Sequence, residues 1–219
     1  MFTLTLIQKI AVWTIPVLLA ITLHEAAHAW AAFRCGDNTA KMLGRLSINP
    51  LRHVDPVGTL LVPILTGFIS QFHFIFGWAK PVPINWNNLR KPRRDMAIVA
   101  AAGPIANLCM ALLWAFFMKA ATLLHLETSS IAQFMMLTGQ AGVLINLVLA
   151  YLNLIPIPPL DGSRIVASLL SPRHAAYYMK LEPFGFLILI TLLFLGLLNL
   201  ILGPLLYWSL SFISTVFNI

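Results

Sequence analysis

Two imidazoles and a carboxylate stand together in Leu23-His24-Glu25-Ala26-Ala27-His28, inside a run from Ile10 to Phe33 whose other side chains carry no charge. At about 100° per residue in an α-helix, His24 and His28 share a face one turn apart, as two nitrogen ligands of one zinc ion must. Glu25 points about a quarter-turn away, where it can act as general base on a water beside the ion without ligating. The alternative is a pair of core histidines bonded to a buried glutamate. Against it stands the run itself, 24 residues read as a membrane span. No solvated surface there excuses an ionisable side chain, and such groups are functional by default.

Two histidines leave a zinc site one protein ligand short, because catalytic sites use three and keep a position open. Asp161 is the candidate third ligand. It closes the stretch Asn153-Leu-Ile-Pro-Ile-Pro-Pro-Leu-Asp161, whose three prolines preclude regular helix. Irregular backbone at membrane depth is tolerated only where protein or a watery cavity surrounds it. Gly162 is expected to let the chain turn sharply there. In a soluble protein the same Asp-Gly pair would read as a surface turn.

The elements that must position these groups follow from composition. Of 219 residues, 59% are hydrophobic and 10% charged, and the mean hydropathy is +0.86, which makes this an all-α polytopic membrane protein. Spans are expected at about 10–33, 96–118, 131–152 and 184–202 within one membrane-embedded domain, 1–219, with 153–162 as a broken segment. Residues 184–217 as a single helix would be about 51 Å long, more than a ~30 Å hydrocarbon core needs, so a break is expected at Gly203-Pro204. Lys41 to Ile48 has the composition for short strands. No stretch remains for a PDZ-like or nucleotide-binding domain. Cys35 and Cys109 fit no zinc or redox spacing and read as unpaired. The net charge of +7 comes from Lys and Arg beside the spans, which points to anionic lipid and topology and away from nucleic acid. Arg93-Arg94 reads as a topology anchor.

Val57 to Phe76 decides the topology. If it crosses the bilayer, the histidines and Asp161 emerge on opposite faces. If it re-enters, they meet near one face, and Lys and Arg divide 12 to 2 between the two sides, with only Lys9 and Lys119 on the minor one. The positive-inside rule prefers the second arrangement, with the site toward the cytoplasm.

With His24-Glu25-x-x-His28, Gly103-Pro104-Ile-Ala-Asn107 and Asn153 to Asp161-Gly162 in this order, the sequence resembles the site-2 protease family (peptidase family M50) of intramembrane zinc metalloproteases, over roughly residues 10–170. It looks like a compact bacterial member without PDZ or CBS domains. The resemblance implies one Zn2+ held by His24, His28 and Asp161, with Glu25 as catalytic base. Asn153 matches a family asparagine that contacts substrate backbone or oxyanion; a helix C-terminal cap is the plainer reading. Asn107 looks structural, its amide bonding across helices. Many relatives have glycine where Ser163 stands. By analogy, a membrane-associated β element follows the first helix, with re-entrant 57–76 behind it.

The activity so implied is hydrolysis of a peptide bond within or near the transmembrane segment of a single-span membrane protein, in a bacterial inner membrane, by a multi-pass enzyme that leaves a homodimer open. An edge strand at Gly44 to Ile48 would capture unwound substrate by β-addition. His53 and Asp55 are further support candidates, although a loop-ordering hydrogen bond suffices for both. A metal-binding transporter or sensor is the non-enzymatic alternative; it predicts inverted repeats, which the sequence lacks, and gives Glu25 no necessary role. A prenyl-protein-processing peptidase would want a downstream glutamate ligand, and Glu127 and Glu182 lie in loops on opposite faces.

Overall fold

A computed structural model of the chain describes residues 5–62, 65, 80–123 and 130–219. Helix α1 (Leu6–Arg34) opens on a capping box, in which the Thr5 hydroxyl accepts from Gln8 N–H and the Gln8 side chain accepts from Thr5 N–H. It stops at Gly36, whose φ of +112° lets Asp37 N–H reach back to Ala32 O at 2.9 Å. A single turn, α2 (Thr39–Met42), follows. Helix α3 (Pro92–Leu123) starts on proline, with the Asp95 carboxylate accepting from Lys91 N–H at 2.8 Å. After it come α4 (Ser130–Leu154), α5 (Asp161–Leu169), α6 (Pro172–Met179), α7 (Gly185–Phe194) and α8 (Leu197–Phe217).

Among the described residues, five helical runs are long and apolar enough to cross a membrane: Ile7–Arg34, Pro92–Leu123, Ile131–Leu154, Pro172–Phe194 and Leu197–Phe217. The chain is an all-α, multi-pass membrane protein. Helices α1, α3 and α4 pack on one another, α5 lies against α3, and α8 closes on α4. Their shared core holds Trp114, Met118, Val143, Leu147 and Ile213. Gly142 brings α4 onto Trp114, since a Cβ there would stand 2.3 Å from the indole. Phe186, Phe194, Leu200, Trp208 and Phe212 stay exposed along α7 and α8, as side chains facing lipid do.

Two expectations need correction. The break in the last apolar stretch falls at Leu195-Gly196 instead of Gly203-Pro204, and Pro204 sits inside α8. Gly196 adopts φ +71°, a conformation open to glycine at little cost, whereas a proline in a membrane helix merely leaves one carbonyl to be satisfied otherwise. Nor do residues 41–48 form strands: no strand occurs among the described residues, α2 takes up Lys41 and Met42, and Leu46 packs on the cluster of Ala29, Ala40 and Val82. Local helical hydrogen bonds and apolar burial there outweigh the extended pairing that the composition suggested. The proposed re-entrant 57–76 lies largely outside the described residues. Arg90 N–H donates to Cys35 O at 3.0 Å, however, so the C-terminal end of α1 and the approach to α3 share one face of the core.

That face is held by Asp37. Its carboxylate accepts from the Thr39 hydroxyl and N–H, from Asn88 Nδ2, and from Asn85 N–H, and it is fully buried. Burial alone would raise this carboxyl, but the donors of Thr39, Asn88 and Asn85 outweigh it and hold it below the usual carboxylate range. Replacing Asp37 with Ala orphans these donors and is expected to cost about 2–3 kcal/mol, read as a lower melting temperature in detergent and faster proteolysis within 80–91. A depressed folded pKa contributes stability above the unfolded value of roughly 4 and loses it as pH falls through the folded one. Proteolysis of wild type at 80–91 should therefore rise only in buffers below about pH 4.

Candidate metal centre

His24 and His28 stand one turn apart in the sixth and seventh turns of α1, a helix otherwise mostly apolar, and both are buried where α1 meets Gly103 of α3. Their Nε2 atoms lie 3.0 Å apart, and each lies 3.2 Å from Asp161 Oδ2. Asp161 arrives as the first residue of α5, where the positive end of a helix favours a carboxylate. One candidate ligand atom from each of the three residues lies within 4.8 Å of the others.

With both imidazoles neutral these atoms are acceptors. His28 Nδ1 sits 2.7 Å from Val99 O, a carbonyl that can only accept, so the neutral ring carries its proton at Nδ1 and presents a bare lone pair at Nε2; Asn107 Oδ1, 2.6 Å from His24 Nδ1, sets the second ring the same way. Asp161 Oδ2 is buried with no hydrogen-bond partner. Acceptors gathered this closely call for a cation between them, and donors on a tetrahedral zinc with bonds of about 2.0–2.1 Å stand roughly 3.3 Å apart. The donor set fits zinc. Space for it is kept by Gly103 on α3, where a Cβ would lie 2.3 Å from His28 Nε2 and 2.6 Å from His24 Cε1.

Comparison with known proteins agrees in kind. The model of peptidase family M50 matches residues 122–196, which include the irregular stretch and Asp161. YwhC of Bacillus subtilis, named as a candidate zinc metalloprotease, is 36% identical over 197 residues, covering 88% of this chain and 84% of that protein. Rip2 of Mycolicibacterium smegmatis, with the same designation, is 31% identical over 199 residues, covering 89% and 71% respectively. The chain belongs to peptidase family M50, the site-2 proteases. Rip2 of Mycobacterium tuberculosis is 30% identical over 203 residues. No solved structure matches the chain.

The remaining candidates of this M50 chain fall in three places. Glu25 turns to the connector, where its Oε2 accepts from Val82 N–H at 2.7 Å. Asn107 reaches the centre, with Oδ1 2.6 Å from His24 Nδ1. Asn153 does not join the three: its Nδ2 donates to Leu149 O, one turn back in α4, at 3.0 Å. His53 is buried, with Nε2 2.8 Å from Ser47 O, and Asp55 accepts from Val57 and Gly58 N–H; both order the connector. Gly162 is a glycine for space and not for a turn. It lies inside α5 without a positive φ, and a Cβ there would stand 2.2 Å from Leu154 O.

Sequence reasoning missed three contributors. Arg93 donates to Ser168, Leu169 and Leu170 carbonyls at 3.1, 3.2 and 2.9 Å, fixing the end of the helix that starts at Asp161. Tyr178 OH donates to Pro156 O at 2.6 Å and ties down the irregular stretch. Asn146, an amide in the middle of an apolar run, was the one with a readable signal. The clearance at Gly103 sets a test: Gly103→Ala is expected to push both imidazoles aside and lower bound zinc to background by elemental analysis. Gly203→Ala, with nothing within 4 Å, should leave zinc at the wild-type level.

Proposed function

We propose that this M50 protein is a zinc-dependent intramembrane endopeptidase that cuts a peptide bond within or near the transmembrane segment of single-span membrane proteins, as in regulated intramembrane proteolysis. The observation that carries the reading is the meeting of three lone-pair donors, from α1 and α5, beside an ionisable glutamate in an apolar helix. His24, His28 and Asp161 would hold one zinc ion per chain. When bound, zinc supplies Lewis acidity that polarises water and the scissile carbonyl.

The protein's own residues supply the rest. Val82 N–H engages one Glu25 oxygen and thereby fixes the carboxylate, leaving the other oxygen to take a proton from the attacking water. As the water oxygen bonds to the carbonyl carbon and the carbon–nitrogen bond breaks, Glu25 returns that proton to the leaving amine. A helical substrate keeps its carbonyls in i to i+4 hydrogen bonds, so the scissile stretch must unwind first. The donors lie near the C-terminal end of α1, on the face that also carries the connector with its Arg45, Arg52 and Lys80. That supports a cytoplasmic-side site in a bacterial inner membrane.

Glu25→Gln keeps the Val82 contact but not the base. It is expected to retain wild-type zinc while cleavage of a panel of single-span peptides falls by about 10²–10⁴-fold; equal activity in both proteins overturns the mechanism. Val82→Pro removes the N–H that fixes Glu25, and should lower kcat without changing zinc content. Chelation followed by zinc addition should abolish and then restore wild-type cleavage.

A further inference from the structure

The two histidines are oriented by different kinds of partner. His28 Nδ1 faces a backbone carbonyl, which cannot turn round. His24 Nδ1 faces the side-chain amide of Asn107, which can. With Oδ1 toward the ring, Nδ1 carries the proton and Nε2 keeps its lone pair for a metal. With Nδ2 toward the ring, Nδ1 must accept instead. The proton then moves to Nε2 and points at His28 Nε2 and Asp161, 3.0 and 3.2 Å away, where it blocks a cation.

What sets the amide is a chain of hydrogen bonds with fixed ends. Asn107 Nδ2 donates to Ala20 O on α1 at 3.2 Å and to Asn146 Oδ1 on α4 at 2.9 Å. Asn146 Nδ2 donates in turn to Gly142 O at 2.8 Å. Both terminal carbonyls accept only, so each amide has one orientation that satisfies all its bonds. Asn107 and Asn146 are 0% exposed, which removes water as a substitute partner.

We propose that Asn107 and Asn146 form a relay across α1, α3 and α4 that holds His24 in the Nδ1–H tautomer, and that Asn146 is a positioning residue for metal binding although it touches none of the three donors. The proposal rests on the reading that these donors bind zinc. Buried partners of this kind are worth 10–100-fold in metal affinity when they orient a ligand.

The test measures zinc affinity of the purified full-length protein by chelator competition, independently of cleavage. Asn146→Leu leaves Asn107 Nδ2 only its longer bond to Ala20 O, holds the amide less firmly, and should weaken zinc by about 10-fold, the low end for a buried orienting partner. Asn107→Asp, protonated, presents an oxygen that can accept from His24 Nδ1–H whichever way it faces while its hydroxyl donates to Asn146 Oδ1 or Ala20 O, and should bind zinc within a few-fold of wild type. In the Asn107→Asp background, Asn146→Leu should then cost no further affinity. A purely structural Asn146 would cost the same in both backgrounds, and that result, or wild-type affinity in Asn146→Leu, overturns the relay. Should Asn146→Leu not fold, Asn146→Asp decides: protonated, it still accepts from Asn107 and donates to Gly142 O, so it must hold zinc within a few-fold of wild type, and loss of zinc overturns the relay. Wild type that binds no zinc would instead sink the metal reading itself.

Discussion

Everything in this molecule answers to one electrostatic problem: two imidazole nitrogens and a carboxylate oxygen, all lone-pair donors, lie about 3 Å from one another in a water-poor helix contact. A carboxylate oxygen buried without a donor, as Asp161 Oδ2 is, costs free energy unless a cation or a proton meets it. A divalent cation turns the same repulsion into attraction. Where the three groups meet, Gly103 leaves clear the space that a methyl group would take.

Delivering the donors takes both regular and irregular backbone. One turn of α1 sets the two histidines with no help from distant sequence. Asp161 needs the chain to leave α4, pass three prolines and restart as α5 against the departing helix, an approach that Gly162 permits by lacking a side chain. A short helix beginning at Asp161 transmits any tilt straight to its carboxylate. Arg93, from α3, grips the far end of α5 through three carbonyls and removes that freedom. A residue that reads as a topology anchor in sequence thus also aims a carboxylate about 13 Å away along the nine-residue helix.

Features governed by local spacing were legible in the sequence. The i, i+4 histidines, the apolar runs of α1, α3 and α4, and the proline-broken approach to Asp161 all follow from periodicity and from residues that forbid helix. Features governed by distant partners were not. Gly36-Asp37-Asn38 reads as a turn, yet Asp37 is the buried acceptor that gathers a segment some fifty residues later in the chain. Gly203-Pro204 looks the stronger helix breaker, but the helix breaks at Gly196 because a positive φ ends the run of helical dihedrals whereas a lipid-facing proline need not. The composition of Lys41 to Ile48 suggested strands, and burial of Leu46 against Val82 settled it otherwise.

The connector is where fold and chemistry meet most closely. Val82 N–H reaches Glu25 only because its segment is fastened at both ends: Arg45 Nη2 donates to Lys80 O at 2.8 Å, and Asp37 accepts from Asn85 N–H at 2.8 Å. Helix α1 alone fixes the direction of Glu25 to within the freedom of three side-chain torsions. A single backbone N–H held from outside removes most of that freedom, and does so with a group that has no alternative rotamer of its own. The geometry of Glu25 thus belongs to the polar connector as much as to the helix that bears it. It follows that residues such as Asp37, which meet neither metal donors nor Glu25, act on the same carboxylate through the backbone they hold in place.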